Sequence, residues 1–316
     1  MCSSDLTSLD LARGISIVLV VMGHGVLEHH HPALNDFLSN LRMPLLFLLA
    51  GMHLNWRTGL PSTVWRKADG LLKPYVVMAL LFGGYAALMG RIDSPLDYVH
   101  GVFSFDGLQM PGWLYPMWFL TLLWVLHVAA ALAQPWLAPQ GQARQGRIWA
   151  FTLALGLVGV VAMPGHHDWW TPWRCTGPAL STDAHPLNLD LLPLAGMWFL
   201  LGHQLQAPLA QQRWSWTSIV CLMVIAICLQ LDWQPHLNML ERRMDSPIAS
   251  MLVGLCASLG VLGLSQRLSR LPLPTFGLMA SGRYSLYLLM FHAPLLSLGS
   301  KALQTGLGLE IGRAHV

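Results

Sequence analysis

Leu9-Asp10-Leu11-Ala12-Arg13-Gly14-Ile15-Ser16-Ile17-Val18-Leu19-Val20-Val21-Met22-Gly23-His24-Gly25 is the stretch whose reading decides this chain. From Leu11 to Leu27 it is almost unbroken apolar sequence, close to the roughly 20 residues a helix needs to cross the hydrocarbon core of a bilayer. It nevertheless carries an Arg and a His. An ionisable side chain inside such a segment is expensive and usually faces a polar interior. Arg13 and His24 are eleven positions apart. That is about three helical turns, so both project from nearly one face, roughly 16 Å apart along the axis. Arg13 alone reads as a basic anchor at the membrane edge. His24 sits deeper in the run, and the shared face makes the pair more informative than either member.

The rest of the chain has the same character. Of 316 residues, 54% are hydrophobic and only 10% charged, too little charge to clothe a soluble domain of this size. Lipid is the solvent that such a composition suits. A formal charge of +3, without any Lys/Arg run, gives no footprint for nucleic acid. Cys2, Cys175, Cys221, Cys228 and Cys256 show no CxxC-like pairing; three of them lie in apolar runs, where a free thiol is ordinary packing.

Nine apolar stretches have spanning length: Leu11–Leu27, Asp36–Leu54, Pro74–Gly90, Leu114–Ala133, Ile148–Met163, Leu191–Gln206, Trp216–Leu231, Pro247–Ser265 and Phe276–Ser300. The fold class expected is therefore all-α, a polytopic transmembrane helix bundle. With the N-terminus in the cytoplasm, the inside segments hold Arg57, Arg66, Lys67, Lys73, Arg144, Arg147, Arg213, Arg267 and Arg270, and the outside ones only Arg91, Arg174, Arg242 and Arg243. That asymmetry favours an N-terminus inside. The Trp-rich segments around Trp169–Trp173 and Trp214–Trp216 read as interfacial anchors, with sugar stacking kept open for Pro164–Asp190.

The last stretch carries Ser281-Gly282-Arg283-Tyr284-Ser285-Leu286-Tyr287-Leu288-Leu289-Met290-Phe291-His292-Ala293-Pro294. Ser285 and His292 are seven apart and near one face, while Tyr287 lies off that line. Hydrogen bonding between helices would account for such residues as well as a site would.

Together these elements resemble the acyltransferase-3 family of membrane proteins, which includes bacterial O-antigen, Nod-factor and exopolysaccharide O-acetyltransferases. The likeness is carried by Arg13 and His24 with ten residues between them, and by Arg42-Met43-Pro44-Leu45-Leu46-Phe47-Leu48-Leu49-Ala50-Gly51, with Ala50 where Ser is usual. It continues through Arg66…Lys73-Pro74-Tyr75, Trp118-Phe119-Leu120 and Trp198-Phe199-Leu200-Leu201-Gly202 to the Gly-x-x-Ser…Tyr-Leu…His-x-Pro element at Gly282–Pro294. The resemblance implies a multi-pass protein of the bacterial inner membrane. It would move an acetyl group from acetyl-CoA to an extracytoplasmic or lipid-linked glycan, with acyl-CoA, saccharide and membrane lipid as partners, no nucleic acid, and no bound cofactor. It also implies ten spans, so a tenth is expected beyond the nine.

The chemistry can be argued beside that likeness. An acyl-CoA donor carries phosphates and stays in the cytoplasm, so its site should be basic and inside; Arg57, Arg66, Lys67 and Lys73 are expected to bind it, with Arg13 as donor-side anchor. Transfer to a hydroxyl needs a general base or an acyl-carrying nucleophile, and imidazole serves either role. His24 is assigned that role, with His292, Ser285 and Tyr287 as further site-lining residues. A small-molecule transporter also places polar groups within spans, but should show pseudo-symmetric halves with matching broken helices, which the sequence lacks. A metal enzyme is suggested by His29-His30-His31 and His166-His167-Asp168, yet neither run has the i, i+4 spacing of a helical metal site, and no metal is expected.

The termini carry no weight in this reading. Ile311–Val316, back-translated as ATC GGA AGA GCA CAC GTC, has a reverse complement that reads, after a GTG start, Met1-Cys2-Ser3-Ser4-Asp5. Residues 1–6 and 311–316 are thus read as sequencing-adaptor-derived, and 7–310 as the acyltransferase domain.

Overall fold

The computed structural model describes residues 3–90, 92, 94–105, 112–137, 143–162, 186–210, 215–231, 233, 235–244, 246–271 and 275–307. Most of Pro164–Asp190, His166–Asp168, Trp214 and the last nine residues lie outside these, so the readings placed on them are untouched. In chain order the helices are α1 (Ser3–Gly23), α2 (Val26–His30), α3 (Pro32–Gly51), α4 (Leu60–Lys67), α5 (Lys73–Leu88), α6 (Pro95–Ser104) and α7 (Trp118–Leu137). They continue as α8 (Ala143–Ala162), α9 (Leu192–Ala210), α10 (Ser215–Gln230), α11 (Pro247–Leu268), α12 (Phe276–Arg283) and α13 (Ser285–Leu307). A π-helical turn, Ala68–Leu72, joins α4 to α5. Among the described residues the only strands are the two-residue pair β1 (Leu237–Asn238) and β2 (Arg243–Met244), antiparallel with Leu237 opposite Met244.

The chain is helical, as expected, and among the described residues three helices are long and apolar enough to cross a membrane: Leu60–Leu88, Leu114–Leu137 and Pro247–Leu268. Trp216–Gln230 and Ser285–Gly299 are shorter apolar helices. Only 28% of the apolar window in Leu60–Leu88 is buried, and its Leu80, Leu81 and Leu88 side chains stand exposed. Leu153 and Leu157 of α8, and Ile248 and Leu252 of α11, are exposed too. Water would penalise rows of bare leucine and isoleucine, whereas hydrocarbon does not.

Three sequence expectations need correction. The basic residues before Pro74, counted as an inside segment between two apolar stretches, are mostly helical: Arg66 and Lys67 close α4, Lys73 opens α5, and of the four only Arg57 lies in a turn. Pro74 has no N–H to donate and its ring crowds the carbonyl four residues earlier; the π turn absorbs this, with the Lys73 N–H reaching the Ala68 carbonyl. The last stretch, Phe276–Ser300, is two helices broken at Tyr284. The first, Leu11–Leu27, is interrupted at His24–Gly25, where a turn bounded by Gly23 and Gly25 separates α1 from α2.

The described residues group into two compact units, one holding residues up to His53 and from Trp198 onward, the other Leu54–Met197. In the first, α1 packs against α3, α11, α12 and α13. Its helices meet backbone to backbone at glycines. A Cβ on Gly14 would fall on the Leu278 carbonyl, and one on Gly282 on the Asp10 carbonyl, so α1 and α12 approach through reciprocal glycines. Gly51 and Gly202 make a second such crossing, against Phe199 and Leu48. Small residues permit this closeness, and dispersion between the backbones then holds helices that lipid has no reason to drive together.

In the second unit, α4 packs on α7, where the Trp124 indole donates to the Val64 carbonyl at 3.2 Å. Gln134 donates to the Trp56 carbonyl, tying α7 to the turn that carries Arg57. Buried Tyr75 donates to the Val102 carbonyl at 2.8 Å, linking α5 to α6.

Candidate active site

The candidate site is built at the end of α1. His24 follows directly on Gly23; its N–H still bonds the Val20 carbonyl at 3.2 Å, and Gly25 turns back to Met22 at 3.2 Å. The helix thus ends with the imidazole half-buried at its rim. Opposite stands His292 of α13, 3% exposed. The two ring centroids are 5.2 Å apart and the planes tilted by 37°. Residues 268 positions apart in the chain therefore come together, the contact that the sequence pattern of the first and last spans left open.

His292 is held by its own helix. Its Nδ1 lies 3.0 Å from the Leu288 carbonyl and 2.9 Å from that of Leu289. Carbonyl oxygens only accept, so Nδ1 carries the proton and donates, and the lone pair of the neutral ring is on Nε2. Nε2 is buried and has no hydrogen-bond partner among the described residues.

Arg42 of α3 completes this end. Its Nη2 donates to the Asn35 carbonyl at 2.6 Å, and its Nη1 lies so close to Gly23 that a Cβ there would collide with it. Ser16 of α1 donates to the Arg42 carbonyl at 3.0 Å, pinning α3 to α1. Sequence reasoning took Arg42 only as the edge of a motif. The signal was there, since a cation entering an apolar stretch demands the same explanation that Arg13 received.

Arg13 is not part of this cluster, because the unbroken α1 keeps it roughly 16 Å from His24 along the axis. It lies 3.8 Å from Asp10, which also accepts from Arg283 Nε at 3.1 Å. Asp10 and Arg283 were both missed; the i, i+3 spacing of Asp10 and Arg13 was the available clue. One carboxylate between two guanidiniums leaves a net positive charge where α1 crosses α12.

The remaining expected residues are more dispersed. Ser285 opens α13, half-buried, and Tyr287 is exposed with its ring 6.4 Å from Tyr284; neither is shown in contact with the His pair. Arg57, Arg66, Lys67 and Lys73 belong to the other unit. There Arg57, Arg66 and Lys73 are exposed, Lys67 is half-buried, and Lys73 pairs with Asp69 at 3.1 Å. Among the described residues no group of three or more His, Cys, Asp or Glu is placed to hold a metal.

The described chain is thus a helical protein with apolar helices of membrane-crossing length, in which two imidazoles meet where the first helix ends beside the last. The acyltransferase domain of the acyltransferase-3 family matches residues 6–307, and the chain belongs to that family. No curated protein and no solved structure matches it.

Proposed function

We propose that the protein transfers an acetyl group from cytoplasmic acetyl-CoA to a hydroxyl of an extracytoplasmic or lipid-linked glycan. It does so as a multi-pass protein of the bacterial inner membrane with its N-terminus in the cytoplasm. The observation that carries this reading is the half-buried His24 imidazole beside His292, in a chain whose family performs acyl transfer at membranes. His24 takes the acceptor hydroxyl proton, or carries the acyl group itself. In the first case the hydroxyl oxygen bonds to the acyl carbon as the C–S bond breaks, its electron pair leaves on sulfur, and the proton held by His24 passes to the thiolate. Arg13 anchors the donor from the other end of α1, with Arg57, Arg66, Lys67 and Lys73 as cations for its phosphates.

The test is transfer of label from radiolabelled acetyl-CoA to extractable glycan by membranes carrying the full-length protein. His24→Ala is expected to reduce transfer by about 10²–10⁴-fold if His24 is a general base, and further if it carries the acyl group. Arg13→Ala is expected to be severe, and Arg13→Lys to keep part of the activity, because a point charge survives without the planar fork. Near-normal activity of His24→Ala, per unit of inserted protein, would remove the proposal.

A further inference from the structure

The geometry points to His292 as a positioning residue: its Nε2 lone pair accepts a hydrogen bond from the His24 ring and so fixes which nitrogen of His24 is free to act. This rests on the acyl-transfer reading of His24 and deepens it. Two carbonyls of one helical turn hold Nδ1. A donor has to stay on that nitrogen, since its loss would set a lone pair against two oxygens. The opposite nitrogen is therefore an acceptor, and it is buried, without a partner among the described residues, and in a side chain 3% exposed. An acceptor left alone in a low-dielectric interior is costly. The ring seen beside it is His24, with centroids 5.2 Å apart and planes tilted by 37°, the spacing that two imidazoles joined by an N–H···N bond of about 3 Å would have.

An order of parts follows. The Leu288 and Leu289 carbonyls orient His292, His292 orients His24, and the second His24 nitrogen is left bare toward the acyl group and the acceptor. When that nitrogen takes the hydroxyl proton the ring becomes cationic, and the N–H shared with His292 becomes a charge-assisted bond, stronger in the transition state than before it. The logic is that of a catalytic imidazole held in one tautomer by a third group, with a neutral histidine in place of the usual carboxylate. Burial of His292 behind half-buried His24 suits an orienting role better than direct contact with a glycan.

Three measurements on the full-length protein test this. In nitrogen-15 spectra of histidine-labelled protein, with His292 assigned by comparison with His292→Gln, Nε2 is expected as a bare, pyridine-type nitrogen; a protonated Nε2 overturns the proposal. With radiolabelled acetyl-CoA, His292→Ala is expected to lower kcat by about 10²–10⁴-fold with KM for acetyl-CoA little changed, as when a catalytic histidine loses its tautomer. His292→Gln, whose amide oxygen can accept in place of Nε2, is expected to regain much of that loss. Wild-type kcat in His292→Ala, or a Gln variant no better than Ala, overturns the role of His292 alone. Absence of transfer by the wild-type protein counts instead against the acyl-transfer reading on which it depends.

Discussion

At the scale of single residues, Gly23 makes room beside His24 for a second cationic side chain. The Arg42 guanidinium occupies the space a Cβ at Gly23 would fill, and it is held there by one bond to the Asn35 carbonyl. Gly23→Ala should push that flexible side chain aside rather than the backbone, breaking a charge-assisted bond worth about 1.5–3 kcal/mol next to the imidazole proposed as base or acyl carrier. The expected outcome is that Gly23→Ala and Arg42→Ala each reduce acetyl transfer, and that the double variant is no worse than Arg42→Ala alone. Fully additive losses would show that glycine and arginine act independently. The cation of Arg42 stood out in an apolar stretch, but its close approach to Gly23 was not legible in the sequence, where Gly23 is a small residue before a histidine. His24 itself was legible, because a titratable group in an apolar run stands out wherever it is packed. Its partner could be named from the same signal, but not the pairing. The pairing is a contact between residues 268 positions apart, which a pattern read along one stretch at a time does not contain.

At the scale of helices, glycine spacing explains why so many of the motif residues are small. Gly14 and Gly282 let α1 and α12 touch through their backbones, and the Asp10–Arg283 ion pair at 3.1 Å sits at the same crossing. Gly14→Ala or Gly282→Ala sets a methyl group against a carbonyl that cannot move without its helix, an overpacking cost of about 1–3 kcal/mol. Gly277→Ala, in the same α12 but with nothing within 4 Å of the added carbon, should be neutral or gain up to about 1 kcal/mol from helix propensity. Thermal unfolding of detergent-purified protein should therefore show a lowered midpoint for the first two variants and not for the third; equal midpoints would mean that the crossing tolerates separation. Hydropathy located the helices because an average over many residues senses burial in lipid. The same averaging concealed the turn at His24–Gly25, the π turn before Lys73 and the merging of the basic stretch into Leu60–Leu88. Those features arise from the missing N–H of Pro74 and from contacts with other helices, to which a running average is blind.

At the scale of the whole molecule, orientation in the membrane decides which end of α1 can meet a soluble donor. If Arg13 faces the cytoplasm, as proposed, its cluster with Asp10 and Arg283 is on the side from which an acyl-CoA donor would come, and His24 is toward the proposed acceptor side. The basis for this is the uneven distribution of basic residues, nine on one side and four on the other when the apolar stretches are counted across the chain. Between Arg66 and the segment Pro164–Asp190 lie three apolar stretches, Pro74–Gly90, Leu114–Ala133 and Ile148–Met163, so those two points must lie on opposite faces if each stretch crosses once. Between Arg66 and Arg144 lie two, so those should share a face. Reporters that fold only in the cytoplasm or only outside it, fused after Arg66, after Arg144 and within Pro164–Asp190, should read inside, inside and outside. A cytoplasmic signal from the third fusion would overturn the orientation, and with it the assignment of Arg13 to the donor, because the basic end of α1 would then face a compartment that holds no acyl-CoA.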